Sequence, residues 1–223
     1  MNDDAPTAAD LPTRPEFDSR FRRQLKGLFL WRRDVRRFRT EPLPTGLLDQ
    51  MIGLAALSPS VGNSQPWRFV KVGDPERRAR IRDNFVRSNA EALEDYAGEE
   101  AKLYASLKLS GLDDAPEQIG VFVDTATDLG HGLGRKSMPE TLSYSVVAAV
   151  TTLWLAARAE GIGLGWVSIL GPDEVARTLD VPASWKLVAY LCIGYPIEEH
   201  DDPELDRAGW QKRVDVATFI LQR

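Results

Sequence analysis

The segment spanning residues 141–160 most constrains the fold, because apolar residues recur in it at helical spacing and surround nearly the whole helix. One face carries Val146, Val150, Leu153, Trp154 and Ala157, and three alanines occupy other faces. A helix that is apolar almost all round is buried in a core or lies at a dimer contact. With 223 residues, 43% of them hydrophobic, the chain can bury one substantial core or at most two small ones. We therefore expect a fold built around this helix.

Shorter elements are predicted on both sides of this helix. Strand-length apolar runs cover residues 67–72, 119–124, 161–168 and 186–193, and an edge strand is predicted over 214–221. Helices are predicted from Ser19, over 46–57 with Thr45 as N-cap, over 75–109 with a break near Gly98, and over 172–179. Residues 1–17 contain three prolines and are expected to form a flexible arm. Residues 18–223 are predicted to form one α+β domain, with helices around a central mixed or antiparallel sheet.

Composition excludes several classes of protein and site. A net charge of -5 and a pI near 5.2 argue against a nucleic-acid-binding protein, which needs a basic surface. No apolar run reaches about eighteen residues, and the first residues are acidic and proline-containing, so we expect neither a membrane span nor a signal peptide. The lone Cys192 permits no intrachain disulfide and is expected to be a buried, inert thiol. His131 and His200 lack metal-ligand spacing, so we expect a cytoplasmic protein without a metal site.

The stretch Arg32-Arg33-Asp34-Val35-Arg36 concentrates three guanidinium groups and one carboxylate directly after a predicted helix. The planar guanidinium fork offers paired donors to anionic oxygens and keeps its charge, so this density suits a bound phosphate. A solvated helix end, where arginines favour the helix dipole, explains the same stretch equally well. The sequence alone leaves both interpretations open.

Three other places carry polar groups that a dry core would not favour. Gln65-Pro66-Trp67 follows the loop that contains Ser60 and Gly62, and it would suit a flat heteroaromatic ligand, although a simple turn is an equal alternative. Ser168 follows a glycine-rich stretch that allows close backbone approach, but a lone serine in a strand is more often structural. Lys212 and Arg213 form a basic pair far away in sequence.

Together these segments resemble the nitroreductase-like flavoprotein superfamily and, within it, the 5,6-dimethylbenzimidazole synthases, or flavin destructases. The resemblance rests on Arg32 to Arg36, Pro59 to Gly62, Gln65 to Trp67, Ser106 to Leu109, Leu133 to Arg135, Leu153 to Gly161, Gly165 to Ser168, and Gly209-Trp210 with Arg213. Asp34 favours the narrower family, because ordinary nitroreductases tend to have serine there. The chain departs from the family at Thr141 to Ser145, which lacks an acid, and at Asn63-Ser64.

The resemblance implies a homodimer with two flavin sites at its interface. It implies that Arg32, Arg33, Val35, Arg36 and Arg213 bind the phosphate and ribityl tail of FMN, and that Ser60, Gly62 and Gln65 line its isoalloxazine ring. The family's reaction fragments reduced FMN with molecular oxygen into 5,6-dimethylbenzimidazole and erythrose 4-phosphate. FMN is then a substrate, which a separate flavin reductase must supply in reduced form.

Asp34 and Ser168 match the two positions that the family associates with this fragmentation. We expect Asp34 to accept a proton near the first ribityl carbon, and the surrounding arginines to lower its pKa and keep it ionised. Ser168 is expected to act by hydrogen bonding. Residues 84–110 are expected to form a lid over the site.

Two other functions fit the same resemblance. An NAD(P)H-dependent nitroreductase or flavin reductase would use the same scaffold and retain its FMN. A non-catalytic flavin-binding or storage protein would keep the site without the chemistry. Asp34 favours fragmentation over the first of these, and the altered entrance to the central helix leaves the second open.

Overall fold

The computed structural model describes residues 15–106 and 111–223 and contains helices around one four-stranded sheet. The helices are α1 (Ser19–Trp31), α2 (Leu47–Ala55), α3 (Pro75–Leu93), α4 (Gly98–Ser106), α5 (Gly111–Asp114), α6 (Thr141–Ala159), α7 (Pro172–Thr178) and α8 (Glu204–Arg207). The strands are β1 (Trp67–Lys71), β2 (Glu117–Asp124), β3 (Gly163–Val167) and β4 (Trp185–Gly194). Short 3-10 turns cover Val61–Asn63, Leu129–Gly132 and Val216–Phe219.

The sheet is antiparallel throughout, with the strand order β1-β2-β4-β3. Its two central strands, β2 and β4, are largely buried because both of their faces are covered. Side chains alternate between those faces, so Val121 and Val123 point to one side and Phe122 to the other. The α+β class is confirmed, and the sheet is antiparallel rather than mixed.

Helix α6 lies against the sheet as the sequence predicts. Seven of its residues are buried, and the core on this side joins α6 and α2 to the sheet. A second core cluster on the opposite face contains Phe38, Ile81 of α3, Leu112 of α5 and Val175 of α7. By length and composition alone α6 could cross a membrane, although the sequence predicts no membrane span. Its buried residues form the protein core instead.

Helix starts follow from specific caps. Asp18 accepts a hydrogen bond from the backbone N–H of Phe21 at the start of α1, and Asp74 caps α3 with Pro75 in its first turn. The break near Gly98 is confirmed, since it separates α3 from α4. Thr45 was the wrong cap for α2, because the helix begins after Gly46 in a left-handed conformation and without a side-chain cap.

The predicted edge strand over residues 214–221 is wrong. The Asp215 carboxylate accepts a hydrogen bond from the backbone N–H of Ala217 and caps the Val216–Phe219 turn, so this segment curls away from strand pairing. Cys192 is buried as expected, and burial raises the pKa of its thiol. Residues 1–14 of the predicted arm lie outside the described residues, as do the last residues of the helix predicted to end at 109.

Candidate active site

The arginine-rich stretch is held against β3 by its backbone. The N–H of Val35 donates to the carbonyl of Leu164 over 3.1 Å, and Asp34 forms a parallel bridge with Leu164. A Cβ on Gly165 would lie 2.1 Å from the Val35 carbonyl oxygen, so this close approach requires glycine. The indole Nε1 of Trp154 donates to the carbonyl of Arg33 over 3.1 Å, which fixes the stretch to α6 as well.

Asp34 lies in a cleft, with its two carboxylate oxygens in different surroundings. Its Oδ1 accepts a hydrogen bond of 2.9 Å from the backbone N–H of Trp166, while its Oδ2 lies 3.7 Å from Nε of Arg36. About 40% of the side chain is exposed, but it lines three cavities whose walls displace much of its water. Desolvation therefore raises the pKa of Asp34, and the Trp166 N–H and Arg36 only partly oppose it.

This direction corrects the sequence expectation. We expected the neighbouring arginines to lower the pKa of Asp34 below its ordinary value, but removal of water has the larger effect. Arg32 is a weak opposing influence, and the Glu204 carboxylate adds a further raising effect. Charges along the chain do not reveal this direction, because burial of the carboxylate depends on the surrounding folded protein.

One cavity beside Asp34, of about 150 Å³, is strongly basic. It is lined by Arg32, Arg33, Asp34, Arg36, Pro203, Glu204, Leu205 and Arg213. The fold thus brings Arg213 to the arginines near residue 32, as the resemblance implied. Burial lowers the pKa values of Arg32 and Arg33, and repulsion from Arg213 lowers both further.

These arginines fit the phosphate group of a flavin mononucleotide. The Nε of Arg33 is buried and has no hydrogen-bond partner among the described residues. A buried donor without a partner is costly, and an anionic oxygen would satisfy it. Mutual repulsion among Arg32, Arg33 and Arg213 would be relieved by the same anion.

The second cavity has a volume of about 230 Å³ and aromatic walls. Ser168 lies in it, exposed at the end of β3, together with Asp34. The remaining lining residues are Arg36, Phe85, Asn89, Tyr104, Trp166, Val167, Ile169, Leu205 and Trp210. Asp34, Arg36 and Leu205 also line the basic cavity, so the two cavities are adjacent. The cleft therefore suits a ligand with an anionic end and an apolar body.

Several lining residues were not identified as site residues from the sequence. Phe85, Asn89 and Tyr104 come from α3 and α4, within the segment expected to form a lid. The Tyr104 hydroxyl donates to Oδ1 of Asn89 over 2.9 Å, and burial raises the pKa of Tyr104. Their signal in the sequence is only the polar helical pattern of the segment.

The loop with Ser60, Gly62 and Gln65 packs elsewhere in the chain. Ser60 Oγ accepts a hydrogen bond of 3.1 Å from the backbone N–H of Gln65, so it closes the loop on itself. Gly62 has a φ of 56°, and a Cβ there would lie 3.0 Å from the carbonyl oxygen of Leu133. None of the three residues lines the cavities that contain Asp34. The structure does not bring them to the arginine cluster within one chain.

Two further sequence assignments are placed as follows. The Val35 side chain packs against Gly163 and the second core cluster, so any contact of Val35 with a ligand would fall to its backbone. The backbone N–H of Val61 donates to Oγ of Ser145 over 3.0 Å, so the altered entrance of α6 anchors the Ser60–Gln65 loop.

Ser106 ends α4, but the Leu107 to Leu109 part of its motif lies outside the described residues. No group of three His, Cys, Asp or Glu side chains able to hold a metal occurs in the described ranges.

Comparison with known proteins gives consistent matches over most of the chain. Residues 29–195 match the nitroreductase family. A 5,6-dimethylbenzimidazole synthase of Rhodospirillum rubrum is 58% identical over 201 residues, which cover 90% of this chain and 95% of that protein. A 5,6-dimethylbenzimidazole synthase of Rhodobacter capsulatus is 48% identical over 198 residues, covering 89% and 96% of the two chains.

Solved structures agree with these sequence matches. The crystal structure of oxidised iodotyrosine deiodinase bound to FMN and 3-iodo-L-tyrosine superposes with a TM-score of 0.67 and 28% identity, covering 79% of this chain and 91% of that one. The nitroreductase-like fold is therefore confirmed, and a flavin is the ligand class that this comparison supports. The chain belongs to the nitroreductase family and, within it, to the 5,6-dimethylbenzimidazole synthases, as an enzyme of the flavin oxidoreductase type.

Proposed function

We propose that this protein fragments reduced FMN with molecular oxygen, giving 5,6-dimethylbenzimidazole and erythrose 4-phosphate for the lower ligand of cobalamin. The names of the two relatives at 58% and 48% identity support the product. One structural observation carries the proposal for this chain. Asp34, with its raised pKa, lies where the basic cavity meets the aromatic cavity that holds Ser168.

The basic cavity would bind the phosphate. Arg32, Arg33 and Arg213 supply the charge, and the unpartnered Nε of Arg33 supplies a donor in place. Arg36 lines both cavities and would contact the ribityl tail between them. Reduced flavin supplies the electrons for oxygen reduction and, as the substrate, the carbon skeleton of both products.

Asp34 would accept the proton near the first ribityl carbon at its Oδ2. The Oδ1 atom is already committed to the backbone N–H of Trp166, whereas Oδ2 faces Arg36 at 3.7 Å. A carboxylate with a raised pKa is a stronger base than an ordinary one, so desolvation favours this role. The Ser168 hydroxyl, in the same cavity, can donate and accept a hydrogen bond and would orient the reacting group.

The isoalloxazine ring would meet the Ser60–Gln65 loop of a second copy of the chain. This loop does not line the cleft of its own chain, so a site containing both needs a homodimer. Exposed apolar side chains are available for an interface, including Phe21 and Phe29 on α1 and Tyr144 and Val147 on α6. Most soluble oligomers are symmetric assemblies of identical chains, so a homodimer is the simplest such assembly.

The reaction consumes flavin, so it also needs a source. We propose that a separate flavin reductase supplies reduced FMN and that both proteins act in the cytoplasm. FMN would then not persist on the enzyme through turnover.

The test is to incubate the protein with chemically reduced FMN in air and to identify the products by mass spectrometry. We expect 5,6-dimethylbenzimidazole from the wild type and at least about 100-fold less from Asp34→Asn, because general-base catalysis contributes on that order. Ser168→Gly should also suppress the product, and both variants should still bind FMN. The control is Asp49→Asn, which removes an exposed carboxylate paired with Lys71.

Other outcomes would replace the proposal. Sustained nicotinamide oxidation with intact flavin would identify a nitroreductase or flavin reductase. Intact flavin without turnover would identify a non-catalytic flavin-binding protein. Unchanged product from Asp34→Asn and Ser168→Gly would remove the roles assigned to these two residues.

A further inference from the structure

Asn84 is a buried amide in the middle of α3, one turn after the buried Ile81. Only 2% of Asn84 is exposed. Asparagine is a poor helix former, and a buried amide needs hydrogen-bond partners, so an apolar residue would suit such a core position better. Both polar atoms of this amide are hydrogen-bonded to one residue of another element, Gly171. Asn84 therefore joins α3 to the segment that follows β3.

The contact between Asn84 and Gly171 is reciprocal, like a pair of hydrogen bonds between strands. The Gly171 N–H donates to Oδ1 of Asn84 over 2.8 Å, and Nδ2 of Asn84 donates to the Gly171 carbonyl over 3.2 Å. The hydroxyl of Ser88, one turn later in α3, donates to the same Oδ1 over 3.3 Å, which holds the amide in this orientation. Asn84 thus satisfies both backbone polar groups of Gly171.

Gly171 lies three residues after Ser168, in the connection from β3 to α7. The ladder of β3 ends at Val167, which pairs with Tyr190 of β4. Within the described ranges, residues 168–170 form no backbone–backbone hydrogen bond, so β3 anchors the connection before them and Gly171 anchors it after them. A connection of three residues with both ends fixed has few conformations, so these anchors hold Ser168 at the wall of the aromatic cavity.

Helix α3 also supplies part of the wall of that cavity. Phe85 directly follows Asn84, and Asn89 lies about one turn further on; both line the cavity that contains Ser168 and Asp34. The same helix therefore forms part of the wall and, through Asn84, fixes the segment that carries the Ser168 hydroxyl.

We infer that Asn84 is a positioning residue for Ser168, because its paired hydrogen bonds to Gly171 set the place of the Ser168 hydroxyl relative to Asp34. The inference rests on the proposed function, which gives Ser168 its part in the reaction. Asn84 itself lines neither the basic nor the aromatic cavity, so its loss should affect the geometry of the reacting groups and leave recognition of the flavin unchanged.

The experiment is a double-mutant cycle on 5,6-dimethylbenzimidazole formation from chemically reduced FMN in air. We expect Asn84→Ala to lower kcat about 10- to 100-fold, because a displaced reacting group costs on this order, and to keep KM within about twofold of the wild type. Added to Ser168→Gly, the same substitution should cost less than about twofold, because no hydroxyl remains to be positioned.

A conservative variant separates positioning from stability. Asn84→Asp retains the acceptor for the Gly171 N–H but buries a carboxyl group, so it should have the lower Tm of the two Asn84 variants. Its kcat should nevertheless exceed that of Asn84→Ala. This order decides the question even where Ser168→Gly forms no detectable product.

The control is Arg87→Ala, which removes an exposed ion pair with Glu174 between the same two helices and should leave kcat unchanged. Equal losses from Asn84→Ala with and without the Ser168 hydroxyl would overturn the inference and leave the proposed function standing. A raised KM with unchanged kcat, or a lower kcat for Asn84→Asp than for Asn84→Ala, would also overturn it. Absence of product from the wild type would overturn the inference together with the proposed function.

Discussion

The arginine-rich stretch at residues 32–36 and the loop at residues 60–65 carry equally distinctive sequences, yet the structure treats them differently. The first pairs in parallel with β3 at Leu164, and its polar groups line a cleft that also contains Arg213 and Ser168. The second packs its backbone against residues 130–133 and closes on itself through Ser60 Oγ. The first region lines the cleft that contains Asp34, and Ser60, Gly62 and Gln65 of the second do not.

This difference indicates which parts of the chemistry one chain can perform. The cleft contains a cluster of arginines and a carboxylate of raised pKa, so under the proposed function recognition of an anion and proton transfer would both fall to a single chain. The loop has left-handed backbone at Gly62 and Gln65, and the Gln65 N–H donates to Ser60 Oγ within the loop itself. Its position makes sense if the ligand it contacts is held mainly by another copy.

The largest expected effect comes from mixing two variants that damage different regions. Asp34→Asn disables the cleft, and Ser60→Ala with Gln65→Ala damages the loop. If each site combines the cleft of one copy with the loop of the other, half of the randomly mixed dimers contain one intact site out of two. Product formation should then recover to about one quarter of the wild-type value. The measurement is 5,6-dimethylbenzimidazole formed per chain after dissociation and reassociation of a 1:1 mixture.

The control for mixing is each variant reassociated with itself. A mixture no more active than the mean of the two variants would place the cleft and the loop of each site in the same chain. That result would remove the shared site and leave the assignment of Asp34 unaffected.

The fold was largely predictable because its main signals are periodic. The apolar pattern of residues 141–160 required a buried helix, and alternation or continuous apolar runs marked all four strands. The pattern failed where one local contact decided the outcome. Asp215 caps a 3-10 turn inside an apolar run, and Gly46 starts α2 where Thr45 was expected to cap it.

The site was less predictable than the fold. The residue types at 32–36 suggested a phosphate, but the proximity of Arg213 came from a family resemblance and depends on how the whole chain folds. The direction of the Asp34 pKa could not be read from neighbouring charges, because it depends on the water that the surrounding folded protein displaces. Contacts between elements, rather than spacing along the chain, decide such properties.

The next prediction separates the two regions by the part of the ligand that each contacts. Arg213→Ala should weaken FMN binding about 10- to 100-fold, because a charged hydrogen bond to phosphate contributes on the order of 1.5–3 kcal/mol. Riboflavin, which lacks the phosphate, should bind the variant and the wild type within about twofold. Fluorescence titration with both flavins measures this, with Lys212→Ala as the neighbouring control. Equal losses for both flavins would remove Arg213 from the phosphate site.

A third prediction concerns the packing that holds the loop. Gly130 has a φ of 76°, and a Cβ there would lie 2.3 Å from the carbonyl oxygen of Gly62. Gly130→Ala should lower stability by about 2 kcal/mol, which corresponds to a Tm decrease of roughly 4–8 °C. The matched control is Gly53→Ala in α2, where the structure has open space and alanine should stabilise by about 0.5–1 kcal/mol. Calorimetry at one protein concentration compares them, and similar Tm values would contradict the close packing of the loop.

The smallest effect tests the cleft through its electrostatics. Because the pKa of Asp34 in the folded chain lies above its ordinary value of 3.8, the folded state binds this proton more tightly than the unfolded state does. Stability therefore falls as pH rises through the interval between the two values, and the penalty is complete above the folded pKa. Asp34→Asn removes the penalty, so its Tm should exceed that of the wild type by about 2 °C at pH 8 and approach it near pH 4. The expected difference in Tm is small because the side chain is partly exposed.

Asp202→Asn is the control of opposite sign. A hydrogen bond from Arg207 lowers the pKa of Asp202, so that variant should lose stability at neutral pH. A lower Tm for Asp34→Asn at pH 8 would mean that Arg36 and the Trp166 N–H outweigh desolvation, and the carboxylate would then be a weaker base than the proposed reaction needs.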